Sequence, residues 1–358
     1  MHSLVFLVAA VYPVVAHRYA LKDEIVGEKF FHSFRHESIP DPTHGRVEYV
    51  DERTARQLNL SYATEDHFIM RADHSTRLDS WSTGRKSVRI LSNDAYSHGT
   101  VLVADIEHMP TGCGTWPAFW TVGDTNWPYK GEIDILEGVN DVSPNMVSLH
   151  TSEGCKQPSQ RAQKGSSVNR DCNAFVNYNS GCNSKVNNQF SYGPSFNAMG
   201  GGWYALERTR KEIKVWFWPR NDATVPAEVA SRYHHSRGLI QAPIVGDIPL
   251  GGHHHHHPDT IHIDTSTWGV PDALFVDEQC DIPSHFKEHH IVINLTFCGD
   301  WAGEFFTYRG SGCPGSCVDY VNSNPEAFKD AYWDIRGIRV FAKPEEEENY
   351  QDWFVKRT

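Results

Sequence analysis

The stretch that decides how this chain folds is Gly131-Glu132-Ile133-Asp134-Ile135-Leu136-Glu137-Gly138-Val139-Asn140. Successive side chains of a strand point to opposite faces, so Glu132 and Asp134 share one face and the two isoleucines share the other. Regular alternation would then place Leu136 on the acidic face. A one-residue β-bulge near Ile135 and Leu136 would turn Leu136 into the core and return Glu137 to the acidic face. The stretch therefore predicts a strand lined by three carboxylates.

Two interpretations of this strand compete. It could be an acidic outer face that blocks edge-to-edge aggregation, but only Lys130 lies nearby in sequence to offset three carboxylates, unless neighbouring strands supply cations. Clustering would raise at least one carboxyl pKa and set a proton donor beside an ionised nucleophile. Retaining glycoside hydrolysis uses two carboxyl groups about 5 Å apart, a spacing that one bulged strand can supply. We therefore favour a catalytic role.

The rest of the chain shows an all-β pattern of short apolar or alternating runs separated by Gly, Pro, Asn and Asp. Arg210-Lys211-Glu212 between two of these runs predicts a hairpin, and Asn324–Lys329 predicts one short helix. Since no internal repeat is evident, a sandwich or a barrel is favoured. The predicted strands are Asp66–Arg71, Lys86–Leu91, Gly99–Ile106, Gly131–Glu137, Asn145–His150, Trp203–Thr209, Ile213–Trp218, His290–Phe297 and Trp333–Phe341.

Aromatic residues cluster just before the carboxylate strand, in Gly114-Thr115-Trp116-Pro117-Ala118-Phe119-Trp120 and Asn126-Trp127-Pro128. Alternation places Trp116 and Trp120 on one face, and aromatic faces beside acids and amides suit sugar rings. Polar or Gly/Pro-rich flanks assign three tryptophans to a cleft: Trp120, Trp127 and Trp301. Apolar strands assign three others to the core: Trp203, Trp216 and Trp333.

Composition excludes several partner classes. The 358 residues include 33 Lys+Arg and 45 Asp+Glu, a formal net charge of −12, so nucleic acid and anionic membrane surfaces are not expected partners. The only long apolar run, Leu4–Ala16, is too short to span a bilayer and ends like a signal-peptidase site. We therefore predict that residues 1–16 are a signal peptide and that the mature protein is secreted.

The cysteines and sequons agree with export. Eight cysteines are an even number and allow up to four disulfides, whose connectivity the sequence leaves open. A zinc site at Cys313 and Cys317 is disfavoured, because no matching Cys/His pair follows at finger spacing. Asn59-Leu-Ser and Asn294-Leu-Thr are glycosylation acceptors by sequence, the second within an apolar strand.

Residues 17–343 are expected to form one domain, interrupted by a low-complexity loop insert at residues 232–258. The insert contains five consecutive histidines, His253–His257, which we interpret as part of a surface loop and not as a metal site. Residues 344–358, which include Glu345–Glu348, are expected to be a solvated acidic tail.

These motifs together resemble glycoside hydrolase family 16, in particular its fungal endo-β-1,3(4)-glucanases, or laminarinases. The segments that carry the resemblance run in family order from about Phe30 to Phe341, so it covers most of the mature chain. They are Glu132–Glu137, Gly114–Trp120, Ser148-Leu-His150-Thr-Ser, Trp203–Thr209, Lys214–Pro219, Asn294–Gly303 and Asp319–Pro325. The family implies a bent antiparallel β-sandwich, a concanavalin-like jelly roll, with a concave substrate groove.

The resemblance also implies roles for the residues of the carboxylate strand. Glu132 matches the nucleophile, Glu137 the general acid/base, and Asp134 an assisting carboxylate that hydrogen-bonds Glu132. His150, for which a structural role in its strand is the plainer interpretation, matches a supporting histidine near the acid/base. The expected substrate-contacting residues are Trp116, Trp120, Trp127, Asn140 and Trp301.

The reaction implied is retaining hydrolysis of β-1,3-glucan, with mixed-linkage glucan as a further substrate. The β-1,3-glucanase branch is favoured because the family's lichenase branch lacks the residue inserted between Asp134 and Glu137. No cofactor is expected; some relatives hold a structural calcium, but this chain has no dedicated acidic calcium loop. A transglycosylase with the same carboxylates and a non-hydrolytic glucan-binding module are the alternatives. The intact acidic triplet argues against the module. We expect a monomer.

Overall fold

Two large antiparallel β-sheets, packed face to face, make up most of the computed structural model, which describes residues 18–231 and 261–343. The predicted all-β sandwich is thereby confirmed. The predicted signal peptide, the whole insert at residues 232–258 with its histidine run, and the acidic tail lie outside the described residues. No helix among residues 18–231 and 261–343 is long and apolar enough to cross a membrane.

The strands are numbered in chain order over the described residues. They are β1 (Arg18–Ile25), β2 (Phe34–His36), β3 (Val47–Tyr49), β4 (Ser61–Ala63), β5 (Phe68–Arg71), β6 (Arg85–Ser87), β7 (Arg89–Tyr96), β8 (Thr100–His108), β9 (Thr115–Gly123), β10 (Glu132–Glu137), β11 (Met146–His150), β12 (Ser166–Ser167), β13 (Cys182–Lys185), β14 (Gly202–Arg208), β15 (Glu212–Pro219), β16 (His262–Asp264), β17 (Ala273–Val276), β18 (His289–Phe297) and β19 (Tyr332–Ala342).

The α-helices are short, and none of those described exceeds seven residues. They are α1 (Lys29–Ser33), α2 (Glu52–Gln57), α3 (Gly193–Ala198), α4 (Ala227–Ala230), α5 (Ile282–His285), α6 (Gly299–Ala302), α7 (Phe305–Gly310) and α8 (Cys317–Ser323). Single 3-10 turns occupy Asn177–Asn179, Gln189–Ser191, Thr265–Thr267, Asp277–Gln279 and Pro325–Phe328. The last of these is the predicted short helix, in a tighter form.

The larger sheet has the order β16-β1-β19-β8-β14-β15-β17, with β5 also pairing β19 and β4 pairing β5. The second sheet has the order β12-β13-β11-β10-β9-β18-β7-β2, while β3 and β6 form a separate parallel pair. The predicted hairpin is confirmed by the pairing of β14 with β15. The strand β10 is therefore central in the second sheet, between β11 and β9, and not at an edge as the aggregation-blocking interpretation required.

The main core lies between the two sheets. Alternating side chains of β10 and β11 on one side and of β8 and β14 on the other meet there, among them Ile133, Val147, Leu102 and Leu206. A second apolar cluster covers the far face of the larger sheet and contains Trp203, Trp216, Trp218 and Trp268. The core assignments of Trp203, Trp216 and Trp333 are confirmed, since all three are buried. The far face of the second sheet, which we call the open face, carries the polar residues of β10.

All eight cysteines form disulfides, which confirms the predicted number and excludes a zinc site at Cys313 and Cys317. The pairs are Cys113–Cys313, Cys155–Cys280, Cys172–Cys182 and Cys298–Cys317. Of the two sequon asparagines, Asn59 is exposed, whereas Asn294 is buried in β18 and hydrogen-bonded on both sides of its amide.

Candidate active site

The predicted bulge in β10 is present. Asp134 pairs with Trp120 of β9 and Leu136 with Phe119, so Ile135 is the inserted residue. Ile135 and Leu136 are both fully buried in the core between the sheets. Because of the extra residue, the side chain of Glu137 points away from the core, as the pattern of three acids and three apolar residues predicts.

Asn145 at the start of the β11 segment holds the two ends of the bulge together. Its Nδ2 donates to the carbonyl of Ile135 at 2.8 Å, and its Oδ1 accepts from the backbone N–H of Glu137 at 2.9 Å. The side chain is fully buried, and its backbone N–H donates to Oγ of Ser191. Sequence analysis placed Asn145 at the start of a strand but gave it no role in the site. The feature of the sequence that could have indicated this role is an asparagine at the start of an otherwise apolar strand.

The bulge brings Glu132 and Glu137 to the open face, where both are partly exposed. Each accepts a hydrogen bond from an indole N–H: Trp127 donates to Oε2 of Glu132, and Trp116 to Oε1 of Glu137, both at 2.8 Å. Trp116 in turn packs edge-to-face against Trp301, with ring centroids 5.6 Å apart. The two glutamates are thus held by separate tryptophans, although they lie on the same strand.

Burial and the charge of Asp134 raise the pKa values of both glutamates, of Glu132 to about 7 and of Glu137 to about 8. The indole hydrogen bonds and the nearby His150 act in the opposite direction on both groups. Arg89 of β7 adds a further lowering contribution to the pKa of Glu132. The pair therefore loses its protons in two coupled steps, with Glu132 the easier to ionise and Glu137 the better proton donor near neutral pH.

Asp134 lies between the glutamates and contacts His150 of β11. The Nε2 of His150 is 3.3 Å from Oδ2 of Asp134, and its Nδ1 is 2.9 Å from Oδ1 of Asn179. Burial alone would lower the pKa of His150, but the hydrogen bond and charge of Asp134, together with the glutamate charges, raise it to about 10. His150 is therefore a cation at neutral pH, on a face that otherwise carries three acids.

The pairing of β10 with β11 fixes the position of His150 in this cluster. The antiparallel register sets His150 directly opposite Glu132, the expected nucleophile, and its charge also acts on Glu137, the expected acid/base. The expected hydrogen bond between Asp134 and Glu132 stays a prediction; the ion pair described for Asp134 is the one to His150. Ligating atoms of Glu132, Asp134 and His150 all lie within 4.8 Å of one another, so the three still act on one another electrostatically.

The expected sugar-contacting tryptophans lie around the carboxylates. Trp120 on β9 is next to Asp134 in register and donates to Oδ1 of Asn294 at 2.8 Å. The guanidinium of Arg89 lies over the Trp120 ring, 5.0 Å from its centroid. Trp127 is 44% exposed on the β9–β10 loop, and Trp301 is partly exposed in α6. The neighbours Arg89 and Asn294 had not been assigned to the site from the sequence.

Asn140 was expected to contact substrate, but the structure gives it a different position. Its side chain is buried; Oδ1 accepts from the N–H of Gly114 at 2.7 Å, and Nδ2 donates to the carbonyl of Ala302 at 2.9 Å. Both ends of the amide are therefore occupied by backbone groups. Asn140 ties the turn before β9 to α6 and thereby supports Trp301.

Two groups of side chains among the described residues bring three metal-ligating atoms within 4.8 Å. One is the catalytic cluster itself; the other is His67, Glu107 and Asp334 on the larger sheet. In the second group His67 is hydrogen-bonded to Asp334, and the guanidinium of Arg336 contacts Glu107, so both acids already have partners within the protein. The arrangement does not fit the all-oxygen ligand set that calcium prefers, and we assign no metal to it.

Comparisons with known proteins agree with this geometry. A family model described as "XgeA-like, catalytic GH16 domain" matches residues 34–245 and 254–341. The chain is 39% identical over 333 residues to a probable endo-1,3(4)-beta-glucanase of Aspergillus clavatus; the match covers 90% of this chain but 46% of that relative. The chain thus spans about half the length of that relative.

Two solved structures are similar over nearly their whole length. GH16 Laminarinase 16A from Phanerochaete chrysosporium, solved with beta-glucans in both donor and acceptor sites, has a TM-score of 0.82 and 49% identity, and covers 90% of this chain and 99% of that one. An elongating GH family 16 beta-1,3-glucosyltransferase has a TM-score of 0.76 and 37% identity, with coverage of 90% and 100%.

Proposed function

The chain belongs to glycoside hydrolase family 16, and from this premise we propose that it is a retaining endo-β-1,3-glucanase acting on laminarin-like β-glucans and on mixed-linkage glucan. The observation that carries the proposal is the bulged strand β10, which presents Glu132 and Glu137 on one face with separate indole donors and raised pKa values. One carboxylate and one carboxylic acid on the same face are what double-displacement chemistry requires.

In the first step the ionised Glu132 attacks the anomeric carbon, and the bond from that carbon to the glycosidic oxygen breaks. Glu137 gives its proton to the departing oxygen, so the leaving chain departs as a neutral alcohol. The higher pKa of Glu137 keeps it protonated at a pH where Glu132 has ionised.

In the second step Glu137, now a carboxylate, takes a proton from water while the water oxygen attacks the same carbon. The ester to Glu132 breaks, the sugar is released with its original β configuration, and both glutamates return to their starting states. The negative charge of Asp134 raises the pKa of Glu132, and the positive charge of His150 limits that rise.

Substrate binding is assigned to the aromatic residues around the carboxylates. Trp120, Trp127 and Trp301 offer partly exposed rings to the C–H faces of glucosyl units, and Trp116 orients Glu137. We further propose that the protein is secreted after removal of residues 1–16, acts as a monomer and needs no cofactor. Four disulfides support an oxidising compartment.

The test is a time course of products from laminarin, mixed-linkage β-glucan and carboxymethyl-cellulose, with the anomeric configuration followed by NMR. We expect rapid release of short oligosaccharides from laminarin, initially in the β configuration, and no cleavage of the cellulose derivative. Products that first appear as the α anomer would contradict the retaining mechanism. Binding to laminarin without any cleavage would instead support the non-hydrolytic module.

A second function, glucosyl transfer, is favoured by the similarity to the elongating glucosyltransferase at 37% identity. The same two steps apply, except that a sugar hydroxyl replaces water as the nucleophile that attacks the Glu132 ester. Incubating laminaripentaose alone distinguishes the two. Hydrolysis yields only shorter chains, whereas transfer yields chains longer than the starting pentaose.

A further inference from the structure

A group of exposed aromatic side chains lies beside the active site, and the proposed mechanism makes no use of it. It consists of Tyr129, Phe175 and Tyr178, which we call the aromatic rim. Tyr129 is 52% exposed, Phe175 62%, and Tyr178 is fully exposed. Tyr129 and Phe175 come from different loops, yet their ring centroids are 6.1 Å apart. Exposing such an apolar surface to water is unfavourable in free energy unless a ligand or partner covers it.

The loops that carry the rim contact the catalytic cluster through residues next to the three rings. Phe175 and Tyr178 lie in the loop closed by the disulfide Cys172–Cys182. Asn179 in this loop hydrogen-bonds His150, and the backbone N–H of Ala174 donates to the carbonyl of Thr151 at 2.9 Å. Tyr129 is two residues after Trp127, the indole donor to Glu132. The two loops that carry the aromatic rim are therefore adjacent to the site, and one of them is hydrogen-bonded to His150.

The backbone of the loop is held in a conformation that its residue types disfavour. Asn177, Tyr178 and Asn179 have φ values of 52°, 56° and 57°, in the left-handed region. Asparagine adopts this region comparatively easily, but tyrosine does not. The consequence of this turn is that Tyr178 points into solvent and Asn179 points to His150. Apolar burial does not explain Tyr178, because its ring gains none.

The position of the rim along the sheet indicates what it would contact. Strand order places β9 and β18, which carry or precede Trp120 and Trp301, on one side of β10. His150 on β11 and the Cys172–Cys182 loop lie on the other side. A glucan chain that crosses the strands at the carboxylates would leave Trp120 and Trp301 behind and next reach Phe175 and Tyr178. Tyr129, from the β9–β10 loop, packs against Phe175 there.

We propose that the aromatic rim binds glucosyl units of the β-glucan chain on the side of the carboxylates opposite to Trp120 and Trp301, and so makes the enzyme prefer long chains. This inference rests on the proposed glucanase function. The exposed ring faces would stack on sugar C–H groups, and the amides of Asn177 and the neighbouring loop residues would meet the hydroxyls.

The experiment compares kcat/KM for laminaritriose and laminariheptaose in the wild-type protein and in Tyr178→Ala, Phe175→Ala and the double variant. We expect the heptaose-to-triose ratio to fall roughly two- to tenfold for each lost ring, which corresponds to about 0.4–1.4 kcal/mol since about 1.4 kcal/mol is tenfold. Tyr178→Phe keeps the ring and should keep most of the ratio. Tyr62→Ala, which removes an exposed ring from β4 of the other sheet, should leave the ratio unchanged.

An unchanged ratio in the double variant, or an equal loss for both substrates, would overturn the inference while leaving the glucanase function intact. A wild-type dimer that dissociates in the double variant, seen by sedimentation with no change in the ratio, would show that the rim is a protein interface. If the wild-type protein cleaves neither oligosaccharide, the proposed function itself is wrong and the inference is wrong with it.

Discussion

The Nε2 of His150 lies 3.3 Å from Oδ2 of Asp134, and both side chains are almost completely buried. This contact places one positive charge among the three carboxylates of β10. Among the described ion pairs, it is the only one that involves Asp134. It lowers the pKa values of both glutamates, although burial and Asp134 leave them raised overall. His150 therefore sets the pH range in which one glutamate is ionised and the other protonated.

Replacing the cation with a neutral amide should move the pH profile. In the wild-type protein we expect a bell-shaped kcat/KM profile whose two limbs report the coupled glutamates, both above the ordinary glutamate range. His150→Gln removes the positive charge, which makes each ionised carboxylate less stable and raises both pKa values. Both limbs should shift to higher pH by roughly one unit. A shift to lower pH would contradict the electrostatic role.

The same variant has a stability readout with a defined sign. The pKa of His150 is raised to about 10 in the folded protein, from about 6.5 in the unfolded chain. The stabilisation from its protonated form is full below pH 6.5 and is lost as the pH rises through about 10. The difference in unfolding free energy between the wild-type protein and His150→Gln should therefore shrink steadily over that range in thermal or denaturant unfolding.

Removing each indole donor should affect one limb of the profile and not the other. Trp127→Phe removes the hydrogen bond to Glu132, so the pKa of Glu132 should rise and the acidic limb should move to higher pH. Trp116→Phe does the same for Glu137 and should move the alkaline limb to higher pH. Each variant is the control for the other. If both variants move the same limb, the assignment of roles to the two glutamates is wrong.

The roles of the two glutamates can also be separated by chemical rescue. Glu132→Ala and Glu137→Ala should both lose hydrolysis of laminarin, since each removes a group that takes part in bond breaking. Azide with an activated aryl glucoside substrate should restore turnover in both. Glu137→Ala retains the nucleophile and should form a β-glycosyl azide, whereas Glu132→Ala should form the α-glycosyl azide by direct attack. Identical configurations from the two variants would refute the assignment.

Asn145 should matter for catalysis through the geometry of the bulge. Asn145→Ala leaves the N–H of Glu137 and the carbonyl of Ile135 without their partner, at a cost of about 1–3 kcal/mol in unfolding free energy. Because a displacement of about 1 Å at a catalytic group can cost about a hundredfold in rate, kcat should fall by roughly ten- to a hundredfold.

A matched control for Asn145 lies elsewhere in the chain. Asn197 bridges the backbone N–H and carbonyl of Met109 in the same manner, far from the carboxylates in the strand order. Asn197→Ala should lose a similar amount of stability with kcat nearly unchanged. If Asn197→Ala loses as much kcat as Asn145→Ala, the effect of Asn145 is one of general stability and not of positioning.

Sequence reasoning predicted the parts of the fold that depend on periodicity. Eight of the nine predicted strands, the hairpin and the bulge are present, because alternation of apolar and polar residues is a local property. The ninth, Lys86–Leu91, is divided between β6 and β7, which belong to different sheets. The strand β9 was not among those predicted, although two of its tryptophans were assigned to one face. It contains Pro117, which normally argues against a central strand. Pro117 is accommodated because the described pairing of β9 with β10 begins at Ala118, the residue after Pro117, so that Pro117 is paired with Leu295 of β18 but not with β10.

The site was predictable where residues share a strand and less so where they meet across strands. Glu132, Asp134 and Glu137 follow from one segment, but the partner of His150 depends on the register between β10 and β11, which the sequence does not contain. Asn140 was expected to contact substrate because it follows the carboxylates closely in the sequence. Its positive φ turns the chain away and brings its amide to Gly114 and Ala302 instead.

The pairing of β19 with β1, β5 and β8 has a consequence for biosynthesis. A chain emerging from the ribosome makes β1 first and β19 more than 300 residues later, yet the larger sheet needs β19 to join β1 to β8. Until that strand is released, β1 and β5 cannot join the part of the sheet that β8, β14, β15 and β17 form. Folding of this protein should therefore be completed after translation, and the nascent chain should depend on chaperones that shield apolar strands for most of its synthesis.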